Sequence, residues 1–558
     1  MLLQRLADFY ERIEGELEPR HHEVREIDWI IELSAEGEFR GFIRTEGQGQ
    51  DFELAVPYLR RAGTSPPPYL LVDKPAYVLG LGLDKWSDEK VQPRQEAFHE
   101  LIHDCAKDSG ELALEAIDTF LHEGIDRARD ERPDDMSAGD LIGFSVDGSL
   151  PTRSRKVQQF WIDKMDARAA EKSDRTGQCL VCGRPDQPIA DRHPVKLQLG
   201  PDRVQLITAN ENAFESYGLS ASEIAPVCCV CAHVYGRALS YLFNSDRHSL
   251  RIASTTHVYW TREPEEFNPW DIVSNPTAEE VAELFKSAFR SQGVPELDTN
   301  DFYALSVSTY TSRLVVRNWL ETTVAEVQKN LAAYFDSQRM VGGDGDDSYY
   351  PLRTLAVSVG RDFDSIPVQA EDALLACAIQ GSPMPTQILH QVIQRARADS
   401  ENRMTRPRAA LIRLVFESQR SHGLIEEDRE VTAELDSENR DPAYLCGRLL
   451  AVLERIQKVA IGAKATIVDR YFGTASSAPA TVFGKLMRGA QNHLGKLRKN
   501  NKGAYYGLDR QLQEICTEIP EFPRTLSLQE QALFSLGYYH QKAADQRAAS
   551  EGAAEEND

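Results

Sequence analysis

Two pairs of cysteines offer the clearest chemistry in the sequence. Cys179 with Cys182, and Cys228 with Cys231, both have Cys-x-x-Cys spacing, and about 45 residues separate the pairs. Such a pair holds two sulfurs at chelating distance, and four thiolates form the ligand set of a tetrahedral structural zinc site. Gly183 follows the first pair and permits a tight turn. The spacing predicts one structural zinc ion per chain, with buried, metal-free cysteines as the alternative.

Asp191 and His193 lie between the two pairs and suggest a second chemistry. In HNH nucleases a Cys-x-x-Cys pair precedes an Asp-His motif, and a second pair closes a zinc frame beside a catalytic Mg²⁺ site where the histidine activates water. Here Arg192 separates the aspartate from the histidine, and a long insertion precedes the second pair. An HNH-like, metal-dependent DNA endonuclease with His193 as base is therefore the alternative function, and a zinc frame without catalysis is preferred.

Three groups of residues are candidates for contact with DNA. They are Arg60, Arg61 and Thr64 in a Gly/Pro-rich loop, Arg153, Arg155 and Lys156 after a turn, and Lys485, Arg488, Lys496, Arg498 and Lys499 in a helical segment. In the third group the spacing would let one helix face follow a phosphate backbone. A charged run is usually only a solvated face, so a helical scaffold without DNA contact is the alternative interpretation.

The composition is typical of a soluble globular protein. The chain has 558 residues, of which 41% are hydrophobic and 27% charged, so we expect roughly two to four domains. A net charge of −24 argues against indiscriminate binding to nucleic acid but permits local basic tracks. No apolar run is long enough for a membrane helix, and the N-terminus is too acidic for a signal peptide. These features predict a cytoplasmic protein without membrane association. No GxxxxGK[ST] loop or GxSxG elbow is present, so nothing requires an enzyme.

Hydrophobic periodicity predicts an α+β fold, in which a mixed N-terminal α/β region contains the zinc knuckle and a C-terminal all-helical bundle follows. We expect an amphipathic helix at the N-terminus, then a hairpin that turns at Glu36-Gly37. Later segments, including "TSRLVVRNWLETTVAEVQKNLAAYFDSQ", are expected to be helices. The predicted domains are an α+β domain over 1–275 with the knuckle at about 177–235, a helical middle region over 276–430 and a bundle over 431–558.

With these segments in place, the chain resembles the large subunit of the type I-C CRISPR surveillance complex, Cascade, also called the Csd family. The resemblance runs nearly from end to end. It is carried, in order, by "LLQRLADFYERI", "IDWIIEL", "DKPAYVLGL", "FSVDG", "VQQFW", "ENAFESYG", "RIASTTHVYW", "LVVRNWLETTVAEV", "DPAYLCGRLLAVLERIQ", "FGKLMRGAQNHLGKL" and "FSLGYYHQKAA".

The resemblance implies a non-enzymatic subunit of an RNA-guided complex. Its N-terminal domain would recognise the protospacer-adjacent motif on double-stranded target DNA and support R-loop formation, and its bundle would stabilise the displaced strand. Sequence would be read mainly by pairing with the CRISPR RNA, as in another CRISPR effector class. The implied partners are the backbone subunit, the guide-RNA-processing subunit, the small subunit and the helicase-nuclease. In this family the small subunit is a separate copy of the bundle, for which Val431 or Met404 would be the internal start.

Overall fold

The computed structural model describes most of the chain, and 54% of it is helical. The described residues are 1–45, 53–59, 61, 66–83, 85–173, 175–191, 193–199, 201–208, 211–252, 254–291, 300–310, 313–346, 348–361, 365–399, 403–426 and 430–555. Contacts divide the chain into unit 1, Met1–Asn244 with Thr309–Val315, and unit 2, Ser245–Ser308 with Val316–Asp558. No described helix has an apolar stretch that would reach across a membrane.

Unit 1 combines short strands with helices. Its helices are α1 (Leu2–Ile13), α2 (Pro75–Val78), α3 (Asp88–Ser109), α4 (Leu112–Thr119), α5 (Ile125–Asp130), α6 (Arg155–Glu171) and α7 (Cys229–Asn244). Its strands are β1 (His22–Glu26), β2 (Trp29–Leu33), β3 (Phe39–Arg44), β4 (Glu53–Pro57), β5 (Ile142–Val146), β6 (Thr176–Gly177), β7 (Gln187–Pro188), β8 (Leu197–Leu199) and β9 (Asp202–Val204). A π-helical turn, Phe120–Gly124, joins α4 to α5.

The core of unit 1 forms around the predicted hairpin. Strand β2 lies at the centre of a three-stranded sheet, antiparallel to β3 and parallel to β5. Ile31 and Leu33 are fully buried and belong to one apolar cluster with Phe98 and Phe144. Gly37 in the hairpin turn has φ +88°, and a Cβ there would lie 2.5 Å from the Ala116 carbonyl oxygen of α4. The glycine is therefore required both by its backbone conformation and by the close helix.

Unit 2 is mainly helical. Its sheet has four strands in chain order, β10 (Ser249–Ile252), β11 (Thr255–Thr261), β12 (Asp301–Tyr310) and β13 (Arg313–Thr323). The end of β12 and the start of β13 fall within the Thr309–Val315 segment of unit 1. Its helices are α8 (Pro269–Ser274), α9 (Ala278–Ser291), α10 (Val324–Gln338), α11 (Leu352–Val357), α12 (Val368–Gln380), α13 (Gln387–Ala398), α14 (Arg406–Ser421), α15 (Pro442–Ile461), α16 (Ile467–Ala475), α17 (Phe483–Asn500), α18 (Lys502–Thr517) and α19 (Leu528–Glu555). The predicted fold class, α+β with a helical C-terminal region, is confirmed; the three-domain division stays a prediction.

One predicted helix is wrong in its first part. Residues 313–323, "RLVVRNWLETT", form strand β13, and helix α10 begins only at Val324. The segment is rich in β-branched residues, which favour strands, and Trp319 stacks on Tyr303 of the sheet with ring centroids 6.0 Å apart. The Thr323 side chain then accepts a hydrogen bond from the Glu326 amide and caps the helix. A short apolar run fits the period of a helix as well as that of a strand. Here pairing with β12 in the sheet fixes the segment as a strand.

The C-terminal bundle depends on a close contact between α15 and α19. Helix α15 is buried along most of its length, as expected for a central helix. A Cβ at Gly447 would lie 1.9 Å from the Phe534 carbonyl oxygen, and a Cβ at Gly537 would lie 2.1 Å from the Tyr444 carbonyl oxygen. The two helices therefore approach each other through reciprocal glycines.

We predict that Gly537→Ala lowers the free energy of unfolding by about 1–3 kcal/mol, because the added methyl group forces the two helices apart. Gly495→Ala in α17 is the matched control, since a Cβ at that position meets nothing within 4 Å. It should leave stability unchanged or raise it by up to ~1 kcal/mol, the helix-propensity difference. Urea unfolding measures both variants, and equal midpoints would contradict the close contact.

Candidate functional site

The two cysteine pairs are held by different local structures. Strands β6 and β7 form a small antiparallel hairpin on either side of the first pair. Within it, the Gly183 amide donates a hydrogen bond to the Cys179 carbonyl oxygen at 2.9 Å, and Gly183 has φ +71°. The second pair lies at the start of α7, where Cys228 forms an isolated antiparallel bridge with Ile189. A turn and a helix start thus bring together residues that are distant in sequence.

The four cysteine sulfurs all lie within 4.8 Å of one another. Backbone amides point at two of them: the amides of Val181 and Cys228 lie 3.4 and 3.3 Å from the Cys179 Sγ, and the Cys231 amide lies 3.5 Å from the Cys228 Sγ. These donors offset negative charge on the sulfurs. The cluster, here called the four-cysteine cluster, has the donor set and spacing that suit a thiophilic metal ion.

The thiols of the four-cysteine cluster differ in acidity. A hydrogen bond from the Cys231 thiol lowers the pKa of Cys228 to about 5, and the same interaction raises the pKa of Cys231. Burial raises the pKa of Cys182. A cation at the centre of the cluster would favour the thiolate form of every member, because metal ligands must be deprotonated.

Cys229, the cysteine between the second pair, is not part of the cluster. Its Sγ lies 3.9 Å from the Ala169 carbonyl oxygen of α6. Burial raises its pKa to about 11, so it stays a neutral thiol at physiological pH. Cys229 is therefore a suitable control cysteine, because it lies next to the cluster but takes no part in it.

His193 is placed as a structural histidine. Its side chain is buried, and its Nδ1 shares a hydrogen bond with the Tyr235 hydroxyl of α7. Burial lowers the pKa of His193 to about 4. Asp191 is exposed, and Arg192 lies outside the described residues. A nuclease base must reach a substrate-bound water, and this burial gives the endonuclease interpretation no support.

The first basic group contains an internal ion pair. Arg61 Nη1 donates to Asp73 Oδ1 at 2.8 Å, Arg61 Nη2 donates to the other carboxylate oxygen, and Arg61 Nε donates to the Pro67 carbonyl oxygen at 2.8 Å. The Asp73 side chain is fully buried, and that of Arg61 is 15% exposed. Arg60 and Thr64 lie outside the described residues. The arginine thus neutralises a buried carboxylate, and a DNA contact by this group stays a prediction.

Aromatic rings complete the surroundings of the pair. The Arg61 guanidinium lies 3.5 Å from the centre of the Tyr69 ring and 4.4 Å from that of Tyr77. The amides of Tyr69 and Lys74 each donate to the Asp73 carboxylate at 2.8 Å. Nothing in the sequence pattern signals this arrangement, because Arg61, Tyr69 and Asp73 belong to no regular helix or strand and Tyr77 comes from α2.

The second basic group lies at the start of α6. Arg153, Arg155 and Lys156 are all exposed, and the last two occupy the first turn of the helix. Lys156 Nζ lies 3.8 Å from a Glu111 carboxylate oxygen. Helix N-termini favour anions through their free amides, so this surface is electrostatically suited to a phosphate.

The third basic group forms a cationic face on α17. At 3.6 residues per turn, Lys485, Arg488, Lys496 and Lys499 lie within an arc of roughly 80°, opposite the buried apolar stripe of the helix. Arg498 lies outside that arc, although all five side chains are exposed. Lys485 Nζ lies 5.4 Å from the centre of the Tyr471 ring. The predicted helix face is therefore present.

The comparisons with known proteins identify a family. A family model described as CRISPR-associated protein (Cas_Csd1) matches residues 6–545. That span includes the four-cysteine cluster, the Arg61 pair and the whole of α17. A search of the curated proteins found no match.

We predict that Arg61→Ala destabilises the isolated chain by about 3–5 kcal/mol, because it leaves a buried carboxylate without its partner. Arg155→Ala, an exposed arginine of the same unit, should change stability by less than about 0.5 kcal/mol. Thermal and urea unfolding of the free protein measure the difference. An Arg61→Ala chain of normal stability that binds target DNA weakly would instead assign this arginine to DNA recognition.

Proposed function

The chain belongs to the Csd1 family of CRISPR-associated proteins, and from that membership we propose that it is the large, non-enzymatic subunit of a type I-C CRISPR Cascade complex. In this role unit 1 recognises the protospacer-adjacent motif, and the C-terminal bundle stabilises the displaced DNA strand. The subunit also supports R-loop formation and recruits the helicase-nuclease. Its partners are CRISPR RNA, double-stranded target DNA and the other Cascade subunits.

The cationic face of α17 is the observation that carries the proposal most directly. The protein as a whole has a net charge of −24, so a concentrated row of exposed cations needs a specific reason. Among the described residues, Arg488, Lys496 and Lys499 have no carboxylate partner, and their charges are available to an external anion. Single-stranded DNA binds along such rows through its phosphates, largely without regard to sequence.

Two segments of unit 1 support its proposed recognition of the protospacer-adjacent motif: the proline-rich segment held by Arg61 and the start of α6. The Arg61–Asp73 pair fixes the proline-rich segment that follows the predicted DNA-reading loop. The start of α6 places Arg155 and Lys156 at a helix N-terminus. Phosphate contacts of this kind position a protein on duplex DNA, and base contacts from an adjacent loop then specify the motif.

Zinc is the metal we propose for the four-cysteine cluster. Four thiolates without an open position are typical of structural zinc sites, which contribute folding free energy and no chemistry. When bound, the ion would neutralise the sulfurs and link the β6–β7 hairpin to the start of α7. The burial of His193 supports a frame of this kind without nuclease activity, and cutting is left to the recruited helicase-nuclease.

We predict that the reduced, freshly purified chain carries one tightly held zinc ion and that Cys182→Ser abolishes it. The ion is lost because a tetrahedral site needs its fourth thiolate. Elemental analysis after dialysis against a mild chelator measures the content, and thermal unfolding should show a lower midpoint. Cys229→Ser, next to the cluster but outside it, should keep both the zinc and the midpoint. Wild-type protein free of zinc would contradict the assignment.

We predict that Lys496→Glu with Lys499→Glu weakens binding of the assembled complex to single-stranded DNA at least tenfold. Loss of two phosphate contacts should also reduce the salt slope of log K by about 1.4, at ~0.7 per contact. The control is Lys329→Glu in α10, which changes an exposed lysine paired with Glu326. Unchanged affinity and slope in the double variant would favour a scaffold role for the bundle.

A further inference from the structure

A second group of side chains of the types that ligate metal lies in unit 1, apart from the four-cysteine cluster. Residues 99–103 of α3 read "HELIH" and have the H-E-x-x-H spacing. On a helix this spacing places the two histidines one turn apart on the same face, where both can bind one metal ion. His99 and His103 lie in the continuous helix α3, so the structural context required by the spacing is present.

The next helix brings two further groups to the same face. Helix α3 ends at Ser109 and is capped by Gly110, which has φ +60°, and α4 starts at Leu112, so the two helices form a short hairpin. Asp118 in α4 and His122 in the following π-helical turn are again four residues apart. The rings of His99 and His122 have centroids 6.0 Å apart. Two imidazoles on one tetrahedral zinc ion have centroids roughly 5 Å apart, given Zn–N bonds of about 2.0–2.1 Å.

Asp118 orients two of the imidazoles. His103 Nδ1 lies 2.9 Å from Asp118 Oδ2, and His122 Nδ1 lies 2.8 Å from the Asp118 backbone carbonyl oxygen and 3.5 Å from Oδ1. An imidazole that donates its Nδ1–H to an oxygen presents Nε2 as the free lone pair, the arrangement typical of metal-bound histidines. His99 Nε2 is buried and has no hydrogen-bond partner within the described structure. Each of the three histidines therefore has an Nε2 without a hydrogen-bond partner among the described residues, and two of the three contact the same aspartate through Nδ1.

We propose that His99, His103 and His122 bind a divalent transition-metal ion, Zn²⁺ by preference, through Nε2, with Asp118 as the carboxylate that orients the rings. The side chains of His103 and His122 are 62% and 58% exposed, so they can rotate to close around the ion. Three histidine ligands leave a fourth position open to water. This site is more exposed than the four-cysteine cluster and has one protein ligand fewer, so it binds its ion more weakly and loads only when metal is added.

The experiment is a titration of the full-length, reduced chain with Co²⁺ after its tightly held metal has been measured. The wild type should take up one additional equivalent with weak visible bands and no sulfur-to-cobalt charge-transfer band. His103→Ala and His122→Ala should each weaken this uptake at least tenfold. Asp118→Asn should weaken it about 10–100-fold, as expected for loss of an orienting carboxylate. Circular dichroism melts of the histidine variants should be unchanged without added metal, because both side chains are exposed.

Two controls separate this site from other metal binding. Glu100→Gln changes the residue inside the spacing that does not ligate, and His390→Ala removes an exposed histidine of α13; both should keep the additional equivalent. No additional equivalent in the wild type, or uptake that survives both histidine substitutions, would overturn the proposal. So would a charge-transfer band that Cys182→Ser abolishes, since the ion would then be at the cysteines. The test uses the isolated chain, so its outcome does not bear on the proposed role in Cascade.

Discussion

The four cysteine sulfurs of unit 1 lie within 4.8 Å of one another, and the structure of the knuckle depends on this close approach. Thiolates this close repel one another, and the backbone amides at 3.3–3.5 Å supply only part of the compensating charge. A divalent cation bound there would remove the repulsion and would fix the start of α7 on the β6–β7 hairpin. Helix α7 in turn contacts α1 through the Phe9–Tyr241 ring pair, and it contacts the segment after α1 through the Arg237–Glu18 ion pair.

Burial decides which cations of this acidic chain remain available to a partner. Arg61 is not available to a partner, because its guanidinium compensates the charge of the fully buried Asp73 carboxylate. The cations of α17 lie opposite its buried stripe and stay in solvent, where they can meet phosphate. A row of like charges on one helix is destabilising on its own. The packing of α17 through its apolar face offsets that cost and leaves these charges exposed to solvent.

Local chemistry was predictable from the sequence, and partners brought by tertiary structure were not. The cysteine spacing indicated the cluster because each pair chelates within one turn, and the period of 3.6 indicated the cationic face of α17. Strand β13 was mistaken for helix because its apolar run fits both periods. Burial of Arg61 depends on Asp73, on Tyr69 outside any regular element and on Tyr77 of α2, a combination that no periodicity reveals. The H-E-x-x-H spacing of α3 was not predicted as a site, although the sequence contains it, and the contacts of Asp118 with His103 and His122 form only because α4 folds back on α3.

X-ray absorption at the zinc edge of the purified, reduced chain tests most directly the claim that four thiolates hold a structural zinc ion. The account predicts a single shell of four sulfur atoms at about 2.3 Å, with no nitrogen or oxygen neighbours. A mixed shell containing nitrogen or oxygen, or a sulfur count well below four, would contradict it and would leave the closure of unit 1 without its proposed cause.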